Sequence, residues 1–324
     1  MSRIKTLSGI FEKEIQNLEL PKEPKNLYEP IKYILEAGGK RIRPVMVLVA
    51  ATMYDSPISK AIPAALALEV FHNFTLLHDD IMDNATVRRG RATVHKKWSD
   101  NIAILSGDAM VIHSYKLLSQ CDTPRLTDIL ESFNLLAALV CEGQQMDMDF
   151  ESSPSTSIDS YTKMITLKTS ALIAGALKIG AQVANAPAAD CDKLYDIGIN
   201  LGVAFQLQDD LLDTYGDQNL FGKRIGGDIL EKKRTFLLIN ALKISNPSQK
   251  EELLATINST TLEDSVKIER VKSIYNALNI RDITEQAIDK YFTHAMDIIS
   301  TIELDENKLS LINELAQTLV IRDK

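Results

Sequence analysis

Cysteine is nearly absent from this chain of 324 residues: Cys121, Cys141 and Cys191 are odd in number and far apart. They have no metal-ligand spacing, which excludes a disulfide scaffold and fits a reducing compartment. Glycine (14), proline (10) and aromatics (6%, with one Trp) are also sparse. So few turn formers argue against a many-stranded fold and for long helices. No apolar run approaches the ~20 residues of a membrane span. Val45–Tyr54 is too short, and Thr169–Ala186 is interrupted by Lys178 and Gln182. The stretch from Met1 to Glu19 mixes Lys and Glu in an amphipathic pattern without an apolar centre, unlike a signal peptide. Excess positive charge is missing as well. A net charge of −8 and a pI near 5.3 argue against a nucleic-acid binder. The expectation is a cytoplasmic protein with no membrane span.

Hydrophobic residues at 45% and charged residues at 25% are enough for a sizeable core. Helical periodicity is read over residues 3–19, Ile31–Ala37, a long run from near Ile62 through Asp83, and about Ala103–Ser119, Pro124–Asp149 and Ile158–Ala186. A further helix runs from about Cys191 to Tyr215, and helical hairpins follow Phe236, with polar turns at Asn246-Pro247 and Leu304–Asn307. Pro21, Pro24 and Pro30 mark a loop. No repeat, linker or sustained strand alternation breaks the pattern. The expected architecture is one all-α domain over 1–324 with roughly ten or more helices.

The sequence is organised around Asp79-Asp80-Ile81-Met82-Asp83 and its single recurrence, Asp209-Asp210-Leu211-Leu212-Asp213. Residues four apart share a helix face, so Asp79 pairs with Asp83, while Asp80 points about 100° away. Like charges at that spacing repel, so something positive should sit against them. Mg²⁺ takes one or two carboxylates and completes its shell with water and phosphate oxygens. A lone DDxxD is commonly a solvated helix surface. Two copies, each after an apolar helical run, favour metal-assisted diphosphate chemistry.

Cations lie nearby in the sequence. Gly38-Gly39-Lys40-Arg41-Ile42-Arg43-Pro44 places three at a helix junction with free backbone N–H groups, which suits either a phosphate site or a solvated turn. Arg88-Arg89-Gly90-Arg91 follows the first aspartates, and Gly222-Lys223 through Asp228, then Lys232-Lys233-Arg234-Thr235, follow the second. Glu142–Asp147 puts polar groups at the end of an apolar helix. Lys168-Thr169 interrupts another, where the lysine either snorkels or meets an anion. Gly198 and Gly202 leave room for close approach.

Both aspartate motifs, GGKRIRP, the RRG after the first of them and the GKRIGGD…KKRT loop, in unbroken order over about residues 35–240, resemble the trans-isoprenyl diphosphate synthases. This is the polyprenyl synthetase family, which includes farnesyl and geranylgeranyl diphosphate synthases. The resemblance implies an all-α bundle around a deep central cavity, usually a homodimer, working with three Mg²⁺. It implies metal ligation by Asp79, Asp83 and Asp209, supported by Asp80, Asp210 and Asp213. It assigns Arg88, Lys168, Thr169, Gln206, Lys223 and Lys233 to the allylic diphosphate, and Lys40, Arg43, His72 and Arg89 to isopentenyl diphosphate. The helical wheel independently puts His72 on nearly the face of Asp79.

A class I terpene cyclase usually has a different second metal motif and lacks GGKRIRP. A non-catalytic subunit of a heteromeric synthase typically loses one aspartate motif, and the motif set disfavours head-to-head condensation. By the same resemblance, the residue five before the first aspartate, Phe74, floors the product pocket, with Phe71 three residues deeper. The wheel puts Phe74 about 140° from Asp79 and would nominate Thr75 instead. The implied product is C20 geranylgeranyl diphosphate, with C15 farnesyl diphosphate the alternative.

Overall fold

The computed structural model describes residues 2–152, 156–216 and 225–320. Its described residues are mostly helical with almost no strand, in agreement with the all-α expectation. By contacts they fall into two compact units, each discontinuous in sequence. The first comprises Met1–Leu136, Leu172–Tyr195 and Ile302–Leu315. The second comprises Ala137–Ala171, Asp196–Thr301 and Ala316–Lys324.

In the first unit, α1 (Arg3–Gln16) starts on Ser2, whose hydroxyl accepts from Lys5 N–H, and buries Ile4, Leu7, Phe11 and Ile15. That is the stripe of a helix packed on one side. The second helix, α2, spans Lys25–Leu35, six residues earlier than its apolar pattern indicates, with Pro30 inside it. A proline there removes a helix hydrogen bond, but Pro30, Ile31, Ile34 and Leu35 are all buried, and that packing keeps the turn helical. Then come α3 (Ile42–Met53) and α4 (Ile58–Met82). Burial runs around α4, from Ala61 through Ala64–Phe71 to Leu77, as for a central helix; it packs against α3 and the later α6 (Asp100–Leu118).

A two-stranded hairpin that alternation does not reveal follows α4. Its strands β1 (Val87–Arg88) and β2 (Arg91–Ala92) pair antiparallel. Arg89 (φ 51°) and Gly90 (φ 73°) form the two-residue turn, both in the left-handed region that such tight hairpins require. Two residues per strand are too few for a period-2 signal. A short helix, α5 (Val94–Lys97), leads into α6.

Three long helical stretches follow: α7 (Leu126–Ser152); α8 (Ile158–Ile165), a π-helical turn (Thr166–Ser170) and α9 (Ala171–Val183); and α10 (Ala188–Tyr215). By length and composition Ile158–Val183 passes for a membrane span, at a mean hydropathy of 1.3, contrary to the reading of its sequence. However, 72% of its most apolar window is buried within the protein, as in a core helix. The chain ends with α11 (Gly227–Leu230), α12 (Phe236–Ile244), α13 (Pro247–Asn258), α14 (Asp264–Ala277), α15 (Ile280–Ser300) and α16 (Glu306–Val320). The Asn246-Pro247 turn is a capping box: Asn246 and Gln249 satisfy each other's backbone N–H groups, with Pro247 at the first helical position.

One arginine joins four helices of the first unit. Arg41 (φ 48°) is 4% exposed, and its guanidinium donates to Glu69 of α4 (2.5 Å), Glu12 of α1 (3.1 Å) and the Leu35 carbonyl of α2 (2.8 Å), while its own backbone starts α3. Burial works against its charge, but Glu69 and Glu12 outweigh that and raise its pKa. Glu69 is 2% exposed and also accepts from Asn73. Removing one partner of such a pair strands the other. Glu69→Ala is expected to cost about 3–5 kcal/mol in denaturant unfolding, and Glu12→Ala, which loses a far more exposed carboxylate, under about 1 kcal/mol. Equal losses would refute this ranking.

Candidate active site

The first aspartate cluster closes a 25-residue helix. Asp83 is the C-cap of α4, donating its N–H to the Asp79 carbonyl (2.8 Å), and Asn84 then turns left-handed (φ 50°). Carboxylates at a helix C-terminus face the negative end of its dipole and call for cations. Asp80 meets one: it is 2% exposed and accepts from Arg88 Nε at 2.6 Å. Burial raises its pKa, and the Arg88 charge and hydrogen bond only partly counter this. Asp83 is exposed and Asp79 partly so. The cluster thus divides as the wheel predicts, with Asp80 turned inward.

The hairpin that carries Arg88 and Arg89 is pinned to α2. Tyr33 donates to the Ala92 carbonyl (2.9 Å), and its ring receives the Arg91 guanidinium at 4.2 Å and the Lys97 ammonium at 3.8 Å. Arg89 reaches the Gly38 carbonyl, and its guanidinium lies where a side chain on Gly39 would stand, 2.9 Å from an added Cβ. Gly39 therefore admits Arg89 against the backbone of this turn. Arg43 Nη1 lies 3.2 Å from His72 Nε2. A guanidinium only donates, so Nε2 accepts and is unprotonated. Burial, then Arg43, Arg89, Arg88 and Arg41, push the His72 pKa well down, in the same sense. Four expected anion-binding residues of this unit, Arg43, His72, Arg88 and Arg89, thus share one basic neighbourhood.

Below the carboxylates runs an aromatic column. The Phe74 ring lies 4.7 Å from His78 and 5.4 Å from Phe71; Phe71 lies 5.1 Å from Phe133, and Phe133 lies 5.0 Å from Tyr115. Phe71 is 2% exposed. Thr75 spends its hydroxyl on the His72 carbonyl (2.8 Å).

In the second unit, Asp209, Asp210 and Asp213 occupy the last two turns of α10, again a C-terminal end. Asp210 is buried and accepts from the Tyr161 hydroxyl, Gln206 Nε2 (3.1 Å) and Phe236 N–H (3.5 Å). Gln206 in turn accepts from Thr169 (3.0 Å), linking the π turn to α10. Asp213 accepts from the Asp228 N–H (3.0 Å). Lys233 pairs with Glu231 (2.9 Å), and its backbone N–H bonds the Asp228 carbonyl. Lys168 pairs with Asp147 (2.6 Å). Lys223 lies outside the described residues. Of the glycines expected to admit close approach, Gly202 does so: a Cβ there would meet Ser170 at 2.6 Å.

Tyr161, Asp147 and Asp228 are the participants that motif reading did not single out. Asp147 and Asp228 stood inside noted polar segments, whereas Tyr161 carried no signal. Burial pushes Asp210 up to about 6, and burial followed by Asp210 and Asp213 pushes Asp228 up to about 8. Crowded carboxylates with raised pKa values fit a cation, whose binding would displace the proton. Among the described residues no three acidic, His or Cys side chains converge on one ion position. One or two oxygens per ion, with the remaining positions left to water and phosphate, is the set Mg²⁺ accepts.

The His72 environment has a pH consequence. Its pKa is near 6.5 in an unfolded chain and well below that in the folded protein. As pH falls, the unfolded chain takes the proton first. Stability from this group is therefore complete above about 6.5 and is lost as pH drops toward the depressed folded value. Between about pH 7 and about pH 5 the melting temperature of His72→Gln should fall less than that of the wild type. An equal or steeper fall would show that His72 is not held neutral.

The motif order and this geometry have counterparts in known proteins. A model of the Polyprenyl synthetase family matches residues 24–278. A short chain isoprenyl diphosphate synthase of Methanocaldococcus jannaschii is 39% identical over 239 residues, covering 74% of this chain and 73% of that protein. A geranylgeranyl diphosphate synthase of Methanosarcina mazei is 37% identical over 245 residues, covering 75% and 76%. A crystal structure of a geranylgeranyl pyrophosphate synthase superposes with a TM-score of 0.94 at 41% identity over 100% of both chains. The family match takes in both aspartate clusters and most of the helices after them, and on these grounds the chain belongs to the polyprenyl synthetase family.

Proposed function

We propose that this protein condenses isopentenyl diphosphate head to tail with an allylic diphosphate to give an all-trans prenyl diphosphate, C20 geranylgeranyl diphosphate. The observation that carries the proposal is the repeated DDxxD, each copy at the C-terminal end of a long helix with Arg and Lys residues following it. Asp79, Asp83 and Asp209 would hold Mg²⁺, three ions by resemblance, with Asp80, Asp210 and Asp213 supporting them. When bound, Mg²⁺ supplies positive charge to diphosphate oxygens as they become a leaving group.

The chain's own residues do the rest. Lys40, Arg43, His72 and Arg89 grip isopentenyl diphosphate, with neutral His72 held against Arg43. Arg88, Lys168, Thr169, Gln206, Lys223 and Lys233 engage the allylic diphosphate. The allylic C–O bond breaks, and the isopentenyl double bond attacks the allylic carbon to form the new C–C bond. One proton then leaves, taken by the released diphosphate. Phe74, floor of the product pocket by resemblance, helps keep water from the cation. The chain acts as one catalytic domain over 1–324, cytoplasmic and homodimeric by resemblance; light scattering tests the dimer.

Purified protein with Mg²⁺, isopentenyl diphosphate and each allylic primer should yield C20, sized by chromatography, and EDTA should abolish turnover. A C15 or C25 product would correct the chain length without touching the reaction. Asp79→Ala and Asp209→Ala should each lower kcat roughly 10²-fold or more, as for loss of one preorganised electrostatic contact. Wild-type rates in either would end the two-cluster mechanism. Phe74→Ala should lengthen the product, and the double variant with Phe71→Ala should lengthen it further, because Phe71 stacks directly behind Phe74. An unchanged distribution would move the floor elsewhere.

A further inference from the structure

The segment Gly143–Asp147 of α7 has no part in the chemistry above, yet it meets the π turn that carries Lys168. Glycine within a helix costs about 1 kcal/mol relative to alanine, and Gly143 sits well inside a 27-residue helix. A Cβ there would lie 2.2 Å from Lys168 N and 2.7 Å from Lys168 Cα, backbone atoms that cannot rotate away. On the same π turn a Cβ on Gly202 of α10 would lie 2.6 Å from Ser170 Cα. The turn is thus seated between two glycines of different helices. Single π turns inside α-helices recur at functional sites, and this one bonds Thr169 to Gln206 and pairs Lys168 with Asp147.

Asp147 is four residues beyond Gly143 and shares its face of α7. The Lys168 and Asp147 side chains are 27% and 39% exposed, and at that exposure the 2.6 Å pair adds little to stability. Its effect is on the side chain itself. A lysine has four rotatable bonds, and ordering them on binding an anion costs affinity unless they are already ordered.

We propose that Gly143 and Asp147 are positioning residues for Lys168: the glycine seats its backbone against α7, and the carboxylate orders its ammonium for the allylic diphosphate. This rests on the assignment of Lys168 to that diphosphate, and it names the residues that set the affinity of that site. The pair preorders Lys168, and the diphosphate then meets a fixed charge.

Steady-state kinetics of the full chain with Mg²⁺ and both substrates test it, using D147A, D147N, D147E, K168A and the double variant D147A/K168A. D147A should raise the KM for the allylic substrate roughly tenfold, the order of one charge-assisted hydrogen bond. The KM for isopentenyl diphosphate and kcat should change far less. D147E should recover part of the loss, and D147N, of the same size, should resemble D147A. The double variant should be no worse than K168A, since Asp147 acts through Lys168. General loosening of the fold would move both KM values and would not spare the double variant. If K168A leaves the allylic KM unchanged, the assignment of Lys168 is wrong. If K168A raises it but D147A does not, or if D147A lowers it, the positioning role alone is overturned.

Discussion

The first unit depends on keeping one positive charge, that of Arg41, away from water. Its guanidinium reaches a buried carboxylate on α4, a second carboxylate on α1 and a carbonyl of α2. The backbone bends to allow this. A non-glycine residue in the left-handed region costs about 1–2 kcal/mol, and Arg41 adopts it at φ 48°, one residue beyond Gly38 and Gly39, which are also at positive φ. The same bend sets where Lys40 and Arg43 emerge. Glu69, which holds Arg41, lies one turn before Asn73 and His72, so the buried pair also fixes the stretch of α4 that meets Arg43. A desolvated pair is a poor source of net stability against an apolar alternative. Here it orders four helices about the basic cluster.

A second constraint acts in each unit by itself. Carboxylates gather at the C-terminal end of a helix, where the dipole is least favourable to them. In α4 the inward one, Asp80, is answered by Arg88 from the hairpin. In α10 the buried one, Asp210, is held by a hydroxyl, an amide and a backbone N–H, and its pKa is raised. Both arrangements fix one carboxylate internally. Under the proposed function, that division would suit Mg²⁺ that arrives with its diphosphate substrate.

The helical content, the two DDxxD spacings and the order of the basic motifs were all legible in the sequence. So was the split of Asp80 from Asp79 and Asp83, because 3.6 residues per turn requires it. Boundaries were less legible. Helix α2 begins at Lys25 and contains Pro30, since the burial of one face outweighs a missing hydrogen bond. The hairpin is not legible, because two-residue strands carry no alternation, although Arg89-Gly90 holds the turn signal.

Local composition and periodicity settled what repeats within a few residues: helices, carboxylate faces and clustered cations. Tertiary structure alone settled partners. Nothing near Arg41 in the chain points to Glu69, and nothing near Lys168 points to Asp147 or to the glycine 25 residues earlier that seats its backbone. Tyr161 became a holder of Asp210 only once α8 and α10 were packed. The reason is physical. A helix's period is fixed by its own backbone, whereas the group that satisfies a buried charge depends on which faces meet and how closely, and one missing Cβ can decide that distance.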